Sequence, residues 1–244
     1  MKCFVLWLLI FAACPQAIAS TLPENFVELP DDVQALLLEY AFFDDQVTSH
    51  WGQQASFSSA KAYVKYLDDY LSRARIDFEA GTLVVETLAS SEPKKQLKEA
   101  IVSALLTPDD PNSVDIYSAR DIEANSKPFL LGRVLDRQGK AIKFRWRAQQ
   151  FAQYLLDEKL TVIESPQGQV YRVNIKLQGN HKQVAAKGIK GLVQDASNRF
   201  NLPESLILGI IETESGFNPF AVSHTNAYGL MQIIPSTAGK DVFN

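Results

Sequence analysis

The residues best suited to chemistry lie in one stretch: Glu214-Ser215-Gly216-Phe217-Asn218-Pro219, then Ser223, then Tyr228-Gly229-Leu230-Met231-Gln232. Glu214 closes a predicted helix that begins at Leu202-Pro203 and ends around Ser215-Gly216, with Pro203 suited to a first helical position. Leu206, Ile207, Ile210 and Ile211 mark the apolar stripe of that helix, and Glu214 falls seven after Ile207 and four after Ile210, on the same stripe. Glu212, two residues earlier, is turned by about 200° and belongs to the polar side. A carboxyl group among apolar neighbours is disfavoured as an anion, so its pKa rises and it can hold a proton for a leaving group: the chemistry is that of a general acid. The same spacing also fits a helix-terminal Glu that bends out to water, and periodicity alone favours that reading.

The elements that must position this stretch divide the chain in two. A first amphipathic helix carries Ile189, Leu192, Val193, Ala196 and Phe200, directly before the one that bears Glu214. Around residues 178–184 the run Gln178-Gly179-Asn180-His181-Lys182 interrupts the pattern, and upstream the texture is strand-like. There Asp31 to Val47 reads as a helix, and residues around Tyr63 to Tyr70 fit either helix or strand. Three strand pairs are predicted, each about its own turn: Ile76–Phe78 with Thr82–Thr87, Gly132–Leu135 with Ala141–Trp146, and Thr161–Glu164 with Val170–Leu177. In the second pair Ile142, Phe144 and Trp146 alternate with Lys143, Arg145 and Arg147, as in a strand with one face in water. Helices over Glu92–Leu106 and Ala148–Leu156 can cover the apolar sheet face, which makes the first part an α+β domain. Asp109-Asp110-Pro111-Asn112-Ser113 reads as a solvated turn.

Composition bounds the function. Of 244 residues 46% are hydrophobic and 21% charged, an ordinary globular balance. The net charge of -4 lacks the basic field that phosphate contacts want, so no nucleic acid is expected as partner. Met1-Lys2, the apolar run Phe4–Ala13 and the small residues after it form a secretory leader, too short to span a bilayer, which needs roughly 20 apolar residues. Two exits compete: cleavage after Ala17-Ile18-Ala19, or lipid attachment at Cys14 of Phe11-Ala12-Ala13-Cys14, which tethers the protein to a leaflet of the outer membrane. Cys3 and Cys14 both lie in the leader, so the mature chain has no disulfide. His50, His181 and His224 have no neighbours at ligand spacing and are assigned surface or capping roles; no metal and no cofactor is expected.

The combination of Glu-Ser, Asn-Pro, a Ser nine after the Glu and Gly-Leu-Met-Gln ending eighteen after it resembles the catalytic signature of soluble-type lytic transglycosylases, which have a goose-lysozyme-like, all-α fold. Upstream, Tyr63-Val64-Lys65-Tyr66, Asp109-Asp110-Pro111 and Ser113-Val114-Asp115 resemble the N-terminal region of the membrane-bound lytic murein transglycosylase C family. The resemblance implies a signal peptide over 1–19, an α+β domain over 20–180 and an incomplete catalytic domain over 181–244. It implies an exported protein on the periplasmic side that cuts peptidoglycan glycan strands between N-acetylmuramic acid and N-acetylglucosamine without water, leaving a 1,6-anhydro end. Glu214 serves first as acid and then as base, and Ser223 and Gln232 hold the sugar or its developing charge. Gly229 lets the backbone approach the substrate, Leu230 and Met231 line the floor of the cleft, and Asn218-Pro219 shapes the turn.

An ordinary glycoside hydrolase pairs two carboxylates. Asp241 and Glu204 qualify as a second acid only by being acidic, and surface positions suit both. Because Asn244 comes only twelve residues after Gln232, the resemblance further implies a truncated catalytic domain with one side of its helix uncovered and little or no activity as it stands. Two other readings remain open: a non-catalytic peptidoglycan-binding envelope protein in which Glu214 is a remnant, and a lysozyme-type hydrolase.

Overall fold

The computed structural model describes residues 26–28, 31–111, 127–223 and 227–234. The leader with Cys14 and Ala19, residues 112–115, His224 and Asp241 fall outside them. After a single 3-10 turn, Phe26–Glu28, the chain runs through helix α1 (Asp31–Trp51), three strands β1 (Ala62–Leu67), β2 (Ser72–Asp77) and β3 (Thr82–Thr87), and helices α2 (Pro93–Leu105) and α3 (Arg145–Glu158). Strands β4 (Thr161–Ser165) and β5 (Gly168–Lys176) come next, then helices α4 (His181–Gly188), α5 (Lys190–Phe200) and α6 (Glu204–Ser215). The strands form one antiparallel sheet in the order β1-β2-β3-β5-β4.

Both faces of the sheet are covered. On one, Tyr63, Leu67, Ala74, Ile76, Leu83, Val85, Val173 and Ile175 pack against α2 and α3, which contribute Leu97, Ile101, Leu105, Phe151, Ala152 and Leu155. On the other, Val64, Tyr66 and Val170 meet Phe43, Val47 and Trp51 of α1. Burial on both sides leaves β1 without alternation, since all six of its residues are buried. This is why its sequence fits helix and strand equally.

The α1 face carries a polar row in cross-strand register: Tyr66 opposite Arg73, Arg73 opposite Glu86, Glu86 opposite Arg172. Glu86, fully inside, accepts from Arg73 Nε at 2.6 Å and Arg172 Nε at 2.5 Å. Trp51 lies 3.9 Å from the Arg73 guanidinium carbon. Two charge-assisted bonds on one carboxylate offset the desolvation of all three groups, and removing the carboxylate strands two cations at the sheet.

The predicted pair Gly132–Leu135 with Ala141–Trp146 is corrected. Only one bridge forms there, Leu135 to Ala141, and Arg145 already opens α3. Ile142 is buried as expected, but Phe144 and Trp146 are exposed. The helical spacing of Ala148, Phe151, Ala152, Leu155 and Leu156 buries more apolar surface than two further strand positions can, so the helix extends back over the alternating residues. The stripe of α5 is narrower than predicted: Val193 is buried, Ile189 and Ala196 are partly so, and Leu192 and Phe200 face solvent.

Glu86→Ala is expected to lower the unfolding free energy by about 3–5 kcal/mol, the cost of stranding buried charge partners. Urea titration of both proteins checks this, and a loss under about 1 kcal/mol contradicts the account of the row.

Candidate active site

The last three helices meet through Ala185, Val193, Ile207, Ile211 and Phe217, with Leu208 and Leu230 beside them. On α6 the buried row is Ile207, Ile211 and Ser215, and Ser215 returns its hydroxyl proton to the Ile211 carbonyl at 3.0 Å. The neighbouring row is Leu206, Ile210 and Glu214, and it faces outward: Leu206 is 49% and Ile210 37% exposed, and Glu214 is exposed as well. The predicted burial of Glu214 is thus corrected. The apolar arc of the helix is wider than the arc its neighbours cover, and Glu214 sits on the uncovered edge. Its carboxyl has no hydrogen bond or ion pair among the described residues, while Glu212, solvent-facing as expected, pairs with Lys182 at 3.1 Å.

The turn that leaves α6 after Glu214 is fixed firmly. Gly216 terminates α6 with φ +59, the left-handed backbone that glycine adopts without strain, and a Cβ there would lie 3.5 Å from Cβ of Phe78, an ordinary contact. Asn218 is fully buried. Its side-chain amide donates to the Ala60 carbonyl at 3.2 Å and more weakly to Ser59 at 3.4 Å, and its Oδ1 accepts the Phe220 N–H at 3.0 Å. Phe220 enters the sheet core against Tyr63 (ring centroids 4.6 Å) and edge-on to Phe129 (5.2 Å). His181, at the start of α4, places its ring nitrogens 2.9 Å from the Gln178 carbonyl and 3.0 Å from the Phe78 carbonyl. In place of the expected surface or capping role, the part-buried ring bridges two backbone carbonyls, and it ties the helices to the β2–β3 turn. Sequence reading missed the docking of Phe220; one aromatic in a loop has no periodicity to reveal it.

The remaining predicted residues lie together in a tight loop after Phe220. Ser223 and Ala227 are joined through the backbone, and the Ser223 hydroxyl accepts the Ala227 N–H at 3.0 Å. Gly229, at φ +71, donates its N–H to the Ala221 carbonyl at 2.8 Å, and no atom lies within 4 Å of a Cβ built on it. Gln232 Nε2 donates to the Gly229 carbonyl at 3.0 Å and more weakly to Ala221 at 3.4 Å, whereas Gln232 Oε1 is buried with no hydrogen-bond partner among the described residues. Leu230 packs on the three-helix cluster, and Met231 is exposed. The loop thus holds a buried acceptor, Gln232 Oε1, with no partner among the described residues, and a bare backbone at Gly229. The described residues contain no group of three or more His, Cys, Asp or Glu that could hold a metal.

Comparison with known proteins agrees with this layout. The family model for the membrane-bound lytic murein transglycosylase C N-terminal domain matches residues 30–188, and that for the transglycosylase SLT domain matches residues 191–244. Proteins named membrane-bound lytic murein transglycosylase C are similar to the chain: that of Klebsiella pneumoniae strain 342 is 44% identical over 203 residues, covering 82% of this chain and 56% of the relative. That of Yersinia enterocolitica is 41% identical over 222 residues, covering 90% and 61%. The chain belongs to the membrane-bound lytic murein transglycosylase C family. It spans a little over half the length of the curated relatives it matches.

Asn218→Ala leaves the Ala60 carbonyl and the Phe220 N–H unpaired inside the protein, and is expected to cost about 2–3 kcal/mol of stability. Chemical denaturation followed by tryptophan fluorescence measures it; an unchanged midpoint contradicts the docking role.

Proposed function

We propose that the protein is a lytic transglycosylase of peptidoglycan, with an α+β domain over residues 20–180 and the start of an all-α, goose-lysozyme-like catalytic domain over 181–244. The observation that carries this is the placement of Glu214, a carboxyl with no partner among the described residues, at the end of a helix whose outgoing turn leads into the loop of Ser223, Gly229 and Gln232, within the segment that the SLT family model matches. A lone acid suits a reaction in which the nucleophile belongs to the substrate. Glu214 gives its proton to the glycosidic oxygen as the bond to the muramyl anomeric carbon breaks. The carboxylate then takes the proton of the muramyl C6 hydroxyl as that oxygen bonds to the same carbon, and no water is consumed.

The exposure of Glu214 has a place in this scheme. A glycan strand laid along Leu206, Ile210 and Glu214 excludes water from the carboxyl and brings the glycosidic oxygen to it. Gln232 Oε1 is suited to accept the N–H of an N-acetyl group, and the open space before Gly229 admits the sugar to the backbone. The Ser223 hydroxyl, which already accepts from Ala227, supports the sugar site by closing its loop. Met231, exposed beside them, offers an apolar contact to a sugar face. The leader and the relatives' name, membrane-bound, support export to the periplasmic side of the envelope, with Cys14 as the lipid-bearing residue.

Replacing Glu214 by Gln, in a longer form carrying the relatives' remaining residues, is expected to reduce release of anhydro-muropeptides from purified sacculi about 10²–10⁴-fold while sacculus binding is kept. Turnover unchanged by the substitution overturns the assignment of Glu214. Products one water heavier than the anhydro sugars overturn the non-hydrolytic route.

A further inference from the structure

Between Asp136 and Arg147 the chain concentrates five cations, Arg137, Lys140, Lys143, Arg145 and Arg147, against one acid, although the protein as a whole carries -4. Asp136 is consumed by structure: Oδ1 accepts the N–H groups of Gln138 and Lys140, both at 2.9 Å, and Oδ2 accepts Arg147 Nη1 at 2.5 Å. This carboxylate ties the turn that carries Arg137 and Lys140 to the first turn of α3 through Arg147. Arg137, Lys140, Lys143 and Arg145 have no carboxylate partner among the described residues. Among them stand two large aromatic rings, Phe144 55% and Trp146 51% exposed. Lys143 Nζ lies 5.6 Å from the Phe144 ring and the Arg147 guanidinium 4.6 Å from that of Trp146.

Nothing in the fold accounts for this arrangement. Helix α3 opens with Arg145, Trp146 and Arg147, has no acid in its first turn, and takes as its N-cap Phe144, which cannot bond the free N–H groups. Cations at that end oppose the helix dipole, and half-exposed rings gain nothing from water. A surface that breaks local rules in two ways at once marks an interaction site.

We infer that this surface, Lys140 to Arg147 with Arg137, rests on an anionic phospholipid bilayer. Cations on such a surface pair with headgroup phosphates, and Trp and Phe rings flanked by cations sit at the depth of the headgroups and upper acyl chains. A glycan strand fits less well. Each ring already has a cation over a face, and the adjoining groove of about 400 Å³, which takes Arg137 and Arg147 together with Asp136, Tyr154 and Asp157 into its lining, includes neither Phe144 nor Trp146. The contact is independent of the lytic reading of Glu214. It would orient the protein on a leaflet whether or not a lipid also tethers its N-terminus.

The test reads Trp146 itself. With Trp7→Phe in the leader, emission comes from Trp146 and the fully buried Trp51. Vesicles of phosphatidylglycerol mixed with brominated phosphatidylcholine are expected to shift the emission to the blue and quench it, and vesicles of brominated phosphatidylcholine alone to leave it unchanged. Lys143→Gln with Arg145→Gln, both exposed and outside the core, should weaken vesicle binding on the order of 25-fold at unchanged circular dichroism, about five-fold per cation. Trp146→Phe should abolish the fluorescence response. Equal quenching by both vesicle types, no response to the anionic ones, or shielding of Trp146 by sacculi but not by vesicles overturns the inference.

Discussion

A single buried amide constrains how the reactive segment is held. Asn218 bonds the chain just before β1 with its Nδ2 and the backbone of Phe220 with its Oδ1, so both are satisfied only when the turn leaving α6 lies against the sheet. Each of those groups left unpaired in the interior costs on the order of 1–3 kcal/mol, which makes the docking close to all-or-none. Phe220 adds apolar area to the same joint, and Gly216 permits the turn through its left-handed backbone. Glu214 lies two residues before that glycine. Its position is therefore set from the sheet side as much as from its own helix, and the sheet can serve as a frame because helices cover both of its faces.

The sequence was most readable where one face of an element was buried and the other wet. Helix α2, with Leu97, Ile101 and Leu105 buried, and strand β5, with Val173 and Ile175 buried, follow their periods closely. It was least readable where that asymmetry fails. The run Ala62-Tyr63-Val64-Lys65-Tyr66-Leu67 has two buried faces and hence no period. Around Lys143–Arg147 two periods overlap, and the longer apolar stripe of α3 prevails over a short alternation. At the site, the spacing from Glu214 to Gln232 was legible because it is local. For the exposure of Glu214 the spacing left two readings open, because periodicity reports the side of a helix and says nothing of what covers it. The junction of Asn218 with Ala60 spans 158 residues and has no local trace at all.

Charge is sorted by the same physics. Arg73 and Arg172 are held at the sheet because Glu86 lies between them; without that carboxylate their desolvation has no return. Arg147 is similarly tied to Asp136, which also closes a turn. These ionic groups have structural reasons and are explained once their partners are named.

Glu214, Lys143 and Arg145 are the informative contrast, since each is exposed and unpaired with any opposite charge among the described residues and each sits beside exposed apolar side chains: Leu206 and Ile210 in the first case, Phe144 and Trp146 in the others. An isolated charge on a wet surface is ordinary, and so is an isolated exposed Leu. Charge and apolar surface placed together, with no internal partner for either, is the composition of a surface that is completed by something else: both kinds of group gain when a ligand carrying opposite charge or transferable protons also excludes water. For Glu214 the sign and the single carboxyl suit a neutral sugar linkage that must accept a proton. For the start of α3 the sign and the breadth suit a sheet of phosphates. The protein thus presents two incomplete surfaces whose chemistries differ.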